Sequence, residues 1–143
     1  MNQVFGGEHQ SLRPTRPLWQ AMMRGLRGKC PACGEGRLFA SFVKTAAECD
    51  CCGQEMHHHR ADDFPAYLVI VIVGHLVLGA FMGVEAATKL SLGAHLAIWI
   101  PVTILLCLGL LRPVKGAVIG LQWALYMHGF GGDEAPLETH PEA

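Results

Sequence analysis

Two long stretches without a charged residue constrain this chain more than any other feature. They run from Phe64 to Val84 and from Leu92 to Leu111. At a rise of about 1.5 Å per residue, about 20 helical residues cross a hydrocarbon core of roughly 30 Å. The chain has only 143 residues, so too little of it remains to cover two such helices in a soluble fold. The stretches therefore predict transmembrane helices at 64–84 and 92–111, joined as a hairpin.

The composition favours a membrane protein over a nucleic-acid-binding one. Charged residues make up 16% of the chain, below the roughly 25% that is typical of soluble domains. The net charge is -1, whereas binding to nucleic acid through phosphates requires clustered Lys and Arg. We therefore expect the lipid bilayer as a partner and expect no nucleic acid.

The distribution of basic residues gives the expected orientation. Most of the 11 lysines and arginines precede the first span, while Lys89 lies in the connector and Arg112 and Lys115 follow the second span. The positive-inside rule then places both termini in the cytoplasm. The first residues are polar and interrupted by prolines, unlike a secretory signal, so we expect no cleavage and a cytosolic N-terminal segment.

Four cysteines have the spacing of a metal site. Cys30, Cys33, Cys49 and Cys52 form the pattern C-x2-C-x15-C-x2-C, which lies in the range of zinc sites. Two residues between thiolates let one turn direct both sulfurs at a single ion, and two such turns complete a tetrahedron. A Zn²⁺ ion with four thiolates has no open position for water, so it would be structural. Cys51 has the poorer spacing from Cys49 and is interpreted as a spare thiol.

The surrounding residues predict a small β zinc ribbon at 29–60. Segment 37–45 is rich in β-branched and aromatic residues and is expected to form a strand that pairs back across the metal. So small a core would depend on its bound Zn²⁺ for stability. A pair of disulfides is the alternative, which a reducing cytosol disfavours. The spacing does not distinguish zinc from iron.

Histidines occur both beside the spans and within them. His57, His58 and His59 are consecutive, and such tracts can bind copper, nickel or zinc. Because consecutive side chains do not share a face of a helix or strand, a polar juxtamembrane strand is favoured. His75 and His95 differ in depth by roughly 9 Å of helix rise. They are therefore interpreted as neutral, hydrogen-bonded side chains and not as ligands of one metal.

The regions outside the spans and the ribbon predict two further helices. Residues 17–28 match a short basic amphipathic helix. Pro113 suits the first turn of a helix, and aromatic residues further on suit a membrane interface, so 113–128 is expected to lie along the cytoplasmic surface. Residues 1–16 and 129–143 are expected to be disordered. The expected fold is a mainly α membrane protein with a transmembrane hairpin, a small cytosolic β zinc ribbon and a C-terminal interfacial helix.

Several motifs in combination resemble one bacterial family. They are the two cysteine pairs with their following glycines, the Asp62-Asp63-x-Pro65-Ala66 sequence before the first span, and Arg112-Pro113-x-Lys115-Gly116 after the second. The combination is similar to the domain of unknown function 983 family. The resemblance implies small bacterial inner-membrane proteins with a cytosolic zinc ribbon and no established activity. Such proteins are often encoded beside cytochrome c oxidase subunits and assembly factors.

These features lead to a hypothesis about function. The cytosolic part has no nucleophile with a nearby base, no paired carboxylates and no phosphate-binding loop, so we do not expect an enzyme. We expect a multi-pass inner-membrane adaptor that assists assembly of cytochrome c oxidase, with oxidase subunits or assembly factors as partners. A permanent supernumerary subunit of a respiratory complex is one alternative. Another is a copper or thiol transfer protein that uses Cys51 and the histidines. Gly79-x-x-x-Gly83 and Gly116-x-x-x-Gly120 leave a homo-oligomer open.

Overall fold

The computed structural model describes residues 14–58 and 63–131. These residues form three helices, which are α1 (Leu18–Leu26), α2 (Phe64–Ala87) and α3 (Leu92–Ala124). The expectations for residues 1–13 and 132–143, and for His59, lie outside the described residues.

Helices α2 and α3 form an antiparallel hairpin with an apolar outer surface. Ser91 caps α3, because its hydroxyl accepts a hydrogen bond from the backbone N–H of Ala94 at 3.3 Å. In the most apolar 18-residue stretches of α2 and α3, only 11% and 6% of the residues are buried. Core helices of a soluble protein would be mostly covered, so this exposure argues against a soluble fold. Both helices are long and apolar enough to cross a membrane.

Polar and aromatic contacts join the two helices near the connector. The indole N–H of Trp99 donates to Nδ1 of His95 at 3.2 Å, which leaves Nε2 as the other polar atom of the ring. That nitrogen lies 2.8 Å from a carboxylate oxygen of Glu85. The ring of Phe81 packs 5.0 Å from the ring of His95. His75, by contrast, is exposed and pairs with the backbone carbonyl of Val71 at 2.7 Å.

Helix α3 continues without a break through Pro113, so the separate interfacial helix expected at 113–128 is wrong. The 33 residues of α3 extend about 50 Å, well beyond a hydrocarbon core of roughly 30 Å. Proline removes one backbone hydrogen bond from the helix. Beyond it, however, Val118, Ile119 and Trp123 are buried in a hydrophobic core, and this burial stabilises the helical continuation.

Helix α1 packs on the C-terminal half of α3 through direct backbone contact. A Cβ atom on Gly25 would overlap the carbonyl oxygen of Gly116, and a Cβ on Gly116 would overlap that of Gly25. One turn away, Gly120 lies equally close to the carbonyl of Ala21. Each helix thus contributes small residues four apart, which lets the backbones meet. The Gly116 and Gly120 pair is therefore used within the chain.

The cysteine-rich segment between α1 and α2 consists of successive chain reversals. No strand forms in the described residues 14–58, so the strand expected over 37–45 is replaced by isolated bridges. Each bridge closes one reversal, and the segments between successive reversals are too short to form a strand. The bridged pairs are Lys29 with Arg37, Phe39 with Thr45, and Glu48 with Glu55.

One hydrophobic core connects this segment to α1 and α3. Leu38 and Met56 from the segment and Ile119 from α3 are 0% exposed. The indole N–H of Trp123 donates to the side-chain oxygen of Gln54 at 3.1 Å. The cysteine-rich segment is thus fixed to the end of α3.

Short stretches beside the helices are more ordered than expected. Residues 14–16 and 129–131 belong to the stretches expected to be disordered, and for them this expectation is wrong. Arg16 donates to the carbonyl oxygen of Trp123 at 2.6 Å, and its guanidinium lies 4.2 Å from the centre of the indole ring. Phe130 is buried in the shared core. These contacts depend on the tertiary fold and leave no local pattern in the sequence.

The contact between α1 and α3 can be tested with Gly116→Ala and, as a control, Gly109→Ala in the same helix. The added methyl of Gly116→Ala must displace backbone, and overpacking of this kind costs about 1–3 kcal/mol. A Cβ at Gly109 meets nothing within 4 Å, so this change should be neutral or stabilising. Thermal unfolding in detergent, followed by tryptophan fluorescence, compares them. Equal stability of the two variants would contradict the close contact.

Candidate metal centre

The structure brings the two cysteine pairs together in one cluster. The sulfur atoms of Cys30, Cys33, Cys49 and Cys52 all lie within 4.8 Å of one another. Cys30 and Cys52 are 3.8 Å apart, and Cys33 and Cys49 are 3.7 Å apart. Metal–sulfur bonds of about 2.3 Å in a tetrahedron place the sulfurs about 3.8 Å apart. A disulfide would require about 2.05 Å. The cluster could therefore hold a metal ion.

Two similar turns present these sulfurs. The N–H of Gly34 donates to the carbonyl of Cys30 at 2.8 Å, and the N–H of Gly53 donates to that of Cys49 at 3.0 Å. Both glycines have a positive φ, of 77° and 72°, which glycine adopts without steric cost. Each C-x2-C pair is thus closed by the glycine that follows it.

The cluster provides very different environments for its thiols. The backbone N–H groups of Gly36 and Glu35 donate to the Cys33 sulfur and lower the pKa of this thiol to about 6. Burial raises the pKa of Cys30 to about 12 and also raises the pKa of Cys52. A thiolate at Cys30 therefore needs compensating positive charge, which a bound cation supplies.

Cys51 lies outside the cluster. Its thiol donates to a carboxylate oxygen of Glu35 at 3.6 Å, and this interaction raises the pKa of Cys51 to about 11. Its sulfur is no member of the group of four that could hold one metal ion, and the raised pKa makes this thiol a weak nucleophile. Its backbone N–H donates to the Cys49 sulfur at 3.4 Å instead.

Arg24 and Gly36 support the cluster, and sequence reasoning assigned neither of them this role. The guanidinium of Arg24 on α1 donates to the carbonyl oxygens of Pro31 and Ala32 at 3.1 and 2.8 Å, which fixes the first turn. A Cβ atom on Gly36 would overlap the sulfur of Cys49. The glycine is visible in the sequence beside the first cysteine pair, whereas the contacts of Arg24 arise only from the packing of α1.

The histidines divide between two kinds of environment. Glu55, His57 and His58 place one potential ligand atom each within 4.8 Å of the others. The expectation of a juxtamembrane strand at this position is wrong for His57 and His58, because the chain forms a turn there. In the described part of the chain, His75, His95 and Cys107 belong to neither of the two candidate metal groups.

Comparison with known proteins identifies a family. The chain matches the family model described as "Protein of unknown function (DUF983)" over residues 39–123. The matched region contains the second cysteine pair and both apolar helices, while Cys30, Cys33 and α1 precede it. No curated protein and no solved structure matches the chain significantly. Since the match covers more than half of the chain and agrees with the resemblance of its motifs, this protein belongs to the DUF983 family.

Proposed function

We propose that this protein is a non-enzymatic, membrane-anchored zinc adaptor. In this proposal α2 and α3 span the bacterial inner membrane, and the four clustered cysteines hold one structural Zn²⁺ on the cytoplasmic side. One observation carries the proposal, namely that the cysteine cluster and the second apolar helix share a core through Ile119 and Trp123 of α3. A partner bound to the cysteine-rich segment would therefore be held at a fixed position relative to the membrane.

The chemistry of the cluster supports a structural zinc. Four thiolates are soft ligands that suit Zn²⁺ in a tetrahedral site. All four coordination positions would be filled by protein, so water and substrate have no place on the metal. The metal would stabilise a segment that has chain reversals in place of strands. This favours a binding surface over a catalytic site.

Exposed apolar side chains supply a surface for a protein partner. Trp19 on α1 is 74% exposed, and Leu18 and Leu26 on the same helix are also exposed. Phe42, at the tip of the second reversal in the cysteine-rich segment, is half exposed. Large exposed aromatic residues in the part of the chain next to a bilayer suit contact with a membrane protein.

The charges support the proposed orientation. Arg27, Lys29, Arg37 and Lys44 are exposed on or beside the cysteine-rich segment. Lys89 is the only lysine or arginine in the connector between α2 and α3. By the positive-inside rule, the cluster and both termini then face the cytoplasm.

Oxidase assembly is the client process that we propose for this adaptor. The suggestion comes from the family resemblance described above and concerns subunits or assembly factors of cytochrome c oxidase. An assembly role predicts transient binding to incompletely assembled oxidase. A permanent supernumerary subunit would instead remain with the mature complex.

The ligand set can be tested by comparing Cys52→Ser with Cys51→Ser. We expect about one zinc per chain in the wild type and in Cys51→Ser, because Cys51 lies outside the cluster. Cys52→Ser removes one of four ligands and should lose most of the metal. Elemental analysis of protein purified without a polyhistidine tag measures the difference. Equal zinc loss in both variants would contradict the assignment of Cys52.

Removal of the metal should loosen the cysteine-rich segment and leave the hairpin intact. Trp123 contacts this segment through Gln54, so a strong chelator should change tryptophan fluorescence. The far-ultraviolet circular dichroism of α2 and α3 should change little, because their hydrogen bonds lie within each helix. The Trp123→Phe variant is the control, since it should lose most of the fluorescence response. A large loss of helicity on chelation would show that the hairpin also depends on the metal and would contradict this prediction.

The client can be identified from native membranes solubilised in mild detergent. We expect the protein to co-purify with unassembled oxidase subunits or assembly factors and to be absent from the mature complex on native gels. Trp19→Ala should weaken this association without loss of zinc, because Trp19 is exposed and is not one of the four cysteine ligands. Normal oxidase assembly in a deletion strain, without any recovered oxidase component, would refute the assembly role.

A further inference from the structure

A second group of metal-ligating side chains lies beyond the cysteine cluster. Ligand atoms of Glu55, His57 and His58 lie within 4.8 Å of one another. The group follows the second cysteine pair, and the zinc adaptor proposed above does not use it. It lacks sulfur, so its preference among metals differs from that of the four cysteines.

The backbone explains why Glu55 and His57 lie on the same side. Glu55 is bridged to Glu48, and the next residue, Met56, donates its backbone N–H to the carbonyl of Ala47 at 2.8 Å. Met56 is 0% exposed, while Glu55 and His57 on either side of it are exposed. Alternate residues of extended chain share a face. Burial of Met56 therefore turns its two neighbours outward together.

His58 completes the group because other contacts hold its ring. Its Nε2 atom lies 2.8 Å from a carboxylate oxygen of Glu55. The ring of Phe130 packs edge-on against it at 6.1 Å. Gly129 has a φ of 87°, and a Cβ there would lie only 2.9 Å from Nδ1 of His58. The turn after α3 thus supports the imidazole before any metal binds.

An open cavity of about 580 Å³ adjoins the group. Glu55 and His58 line it, together with Phe130 and the cluster cysteine Cys52. A metal held by three protein ligands beside such a cavity would retain positions for water or an exchanging ligand. The four-cysteine cluster, in contrast, has no such position.

We propose that Glu55, His57 and His58 form an open, exchangeable site for a divalent first-row transition metal. Two imidazoles and one carboxylate suit Zn²⁺, Co²⁺ or Ni²⁺. On binding, the ion would break the hydrogen bond between His58 and the Glu55 carboxylate and replace it with bonds from both side chains to the metal. The site goes beyond the proposed adaptor function and does not depend on it, because it shares no ligand with the cysteine cluster.

Co²⁺ is a suitable probe for the full-length protein whose cysteines are filled with zinc. We expect one further equivalent of Co²⁺ to bind, with a d–d spectrum of nitrogen and oxygen ligands and without the sulfur-to-cobalt charge-transfer bands of a thiolate site. Calorimetry gives the affinity. The wild type is compared with Glu55→Gln and with the double variant His57→Asn/His58→Asn.

Matched controls make the result decisive. Glu48→Gln changes the carboxylate of a residue whose backbone is bridged to that of Glu55 but which is no member of the group. His128→Asn changes an exposed histidine that lies beside Gly129 but belongs to neither candidate metal group, with an amide that tolerates its φ of 51°. The controls should retain the affinity, whereas the double variant should weaken it by about tenfold or more. Retained zinc in every variant shows that the cysteine cluster is still folded.

Three results would overturn the proposal. The first is the absence of a further Co²⁺ equivalent in the wild type. The second is Co²⁺ binding by the double variant that equals binding by the wild type. The third is a loss of Co²⁺ affinity in the two controls that equals the loss in the double variant. Either of these would mean that the binding is nonspecific. Because these measurements are made with the cysteines filled, failure of this site leaves the zinc adaptor untouched. Absence of zinc from the cysteines of the wild-type protein would instead refute the adaptor.

Discussion

The backbone contact between α1 and the C-terminal half of α3 determines where the rest of the cytosolic part lies. Gly25 meets Gly116 so closely that neither position has room for a Cβ atom. With α1 fixed on α3, Arg24 reaches the first cysteine turn and bonds two of its carbonyl oxygens. The second turn is fixed through Gln54 and Trp123. The cysteine cluster is therefore positioned by helix packing on one side and by a shared hydrophobic core on the other.

A cluster of four thiolates is unfavourable without a cation, and the surroundings of the cysteines affect this cost in opposite directions. Backbone N–H groups stabilise the thiolate of Cys33, whereas burial disfavours that of Cys30. Four thiolates within 4.8 Å would repel one another strongly in a partly buried site. A dication at the centre removes this repulsion and adds bonds to sulfur. If the cluster binds a metal ion as proposed, folding of the segment and metal binding would be one coupled equilibrium.

Spacing and hydropathy predicted the parts of this fold that depend on local sequence. The C-x2-C pairs and the apolar stretches are local signals, and the structure contains both the four-cysteine cluster and two helices that could span a membrane. The continuity of α3 was missed because Pro113 resembles a helix start, and only the burial of Ile119 beyond it reveals a helix interior. The Glu55 and His57 grouping was missed for a related reason, since it depends on Met56 turning inward.

The two candidate metal groups differ in a way that follows from their positions on the core. The cysteines are held by two closed turns, and four thiolates around one ion would leave no position on it for solvent. The group at Glu55 lies on the outer side of the same core, where Met56 is buried and Glu55 and His58 line an open cavity. Both groups are fixed to the end of α3, the helix that also carries the second apolar stretch. A change in the tilt of α3 would therefore move both metal groups together as one body.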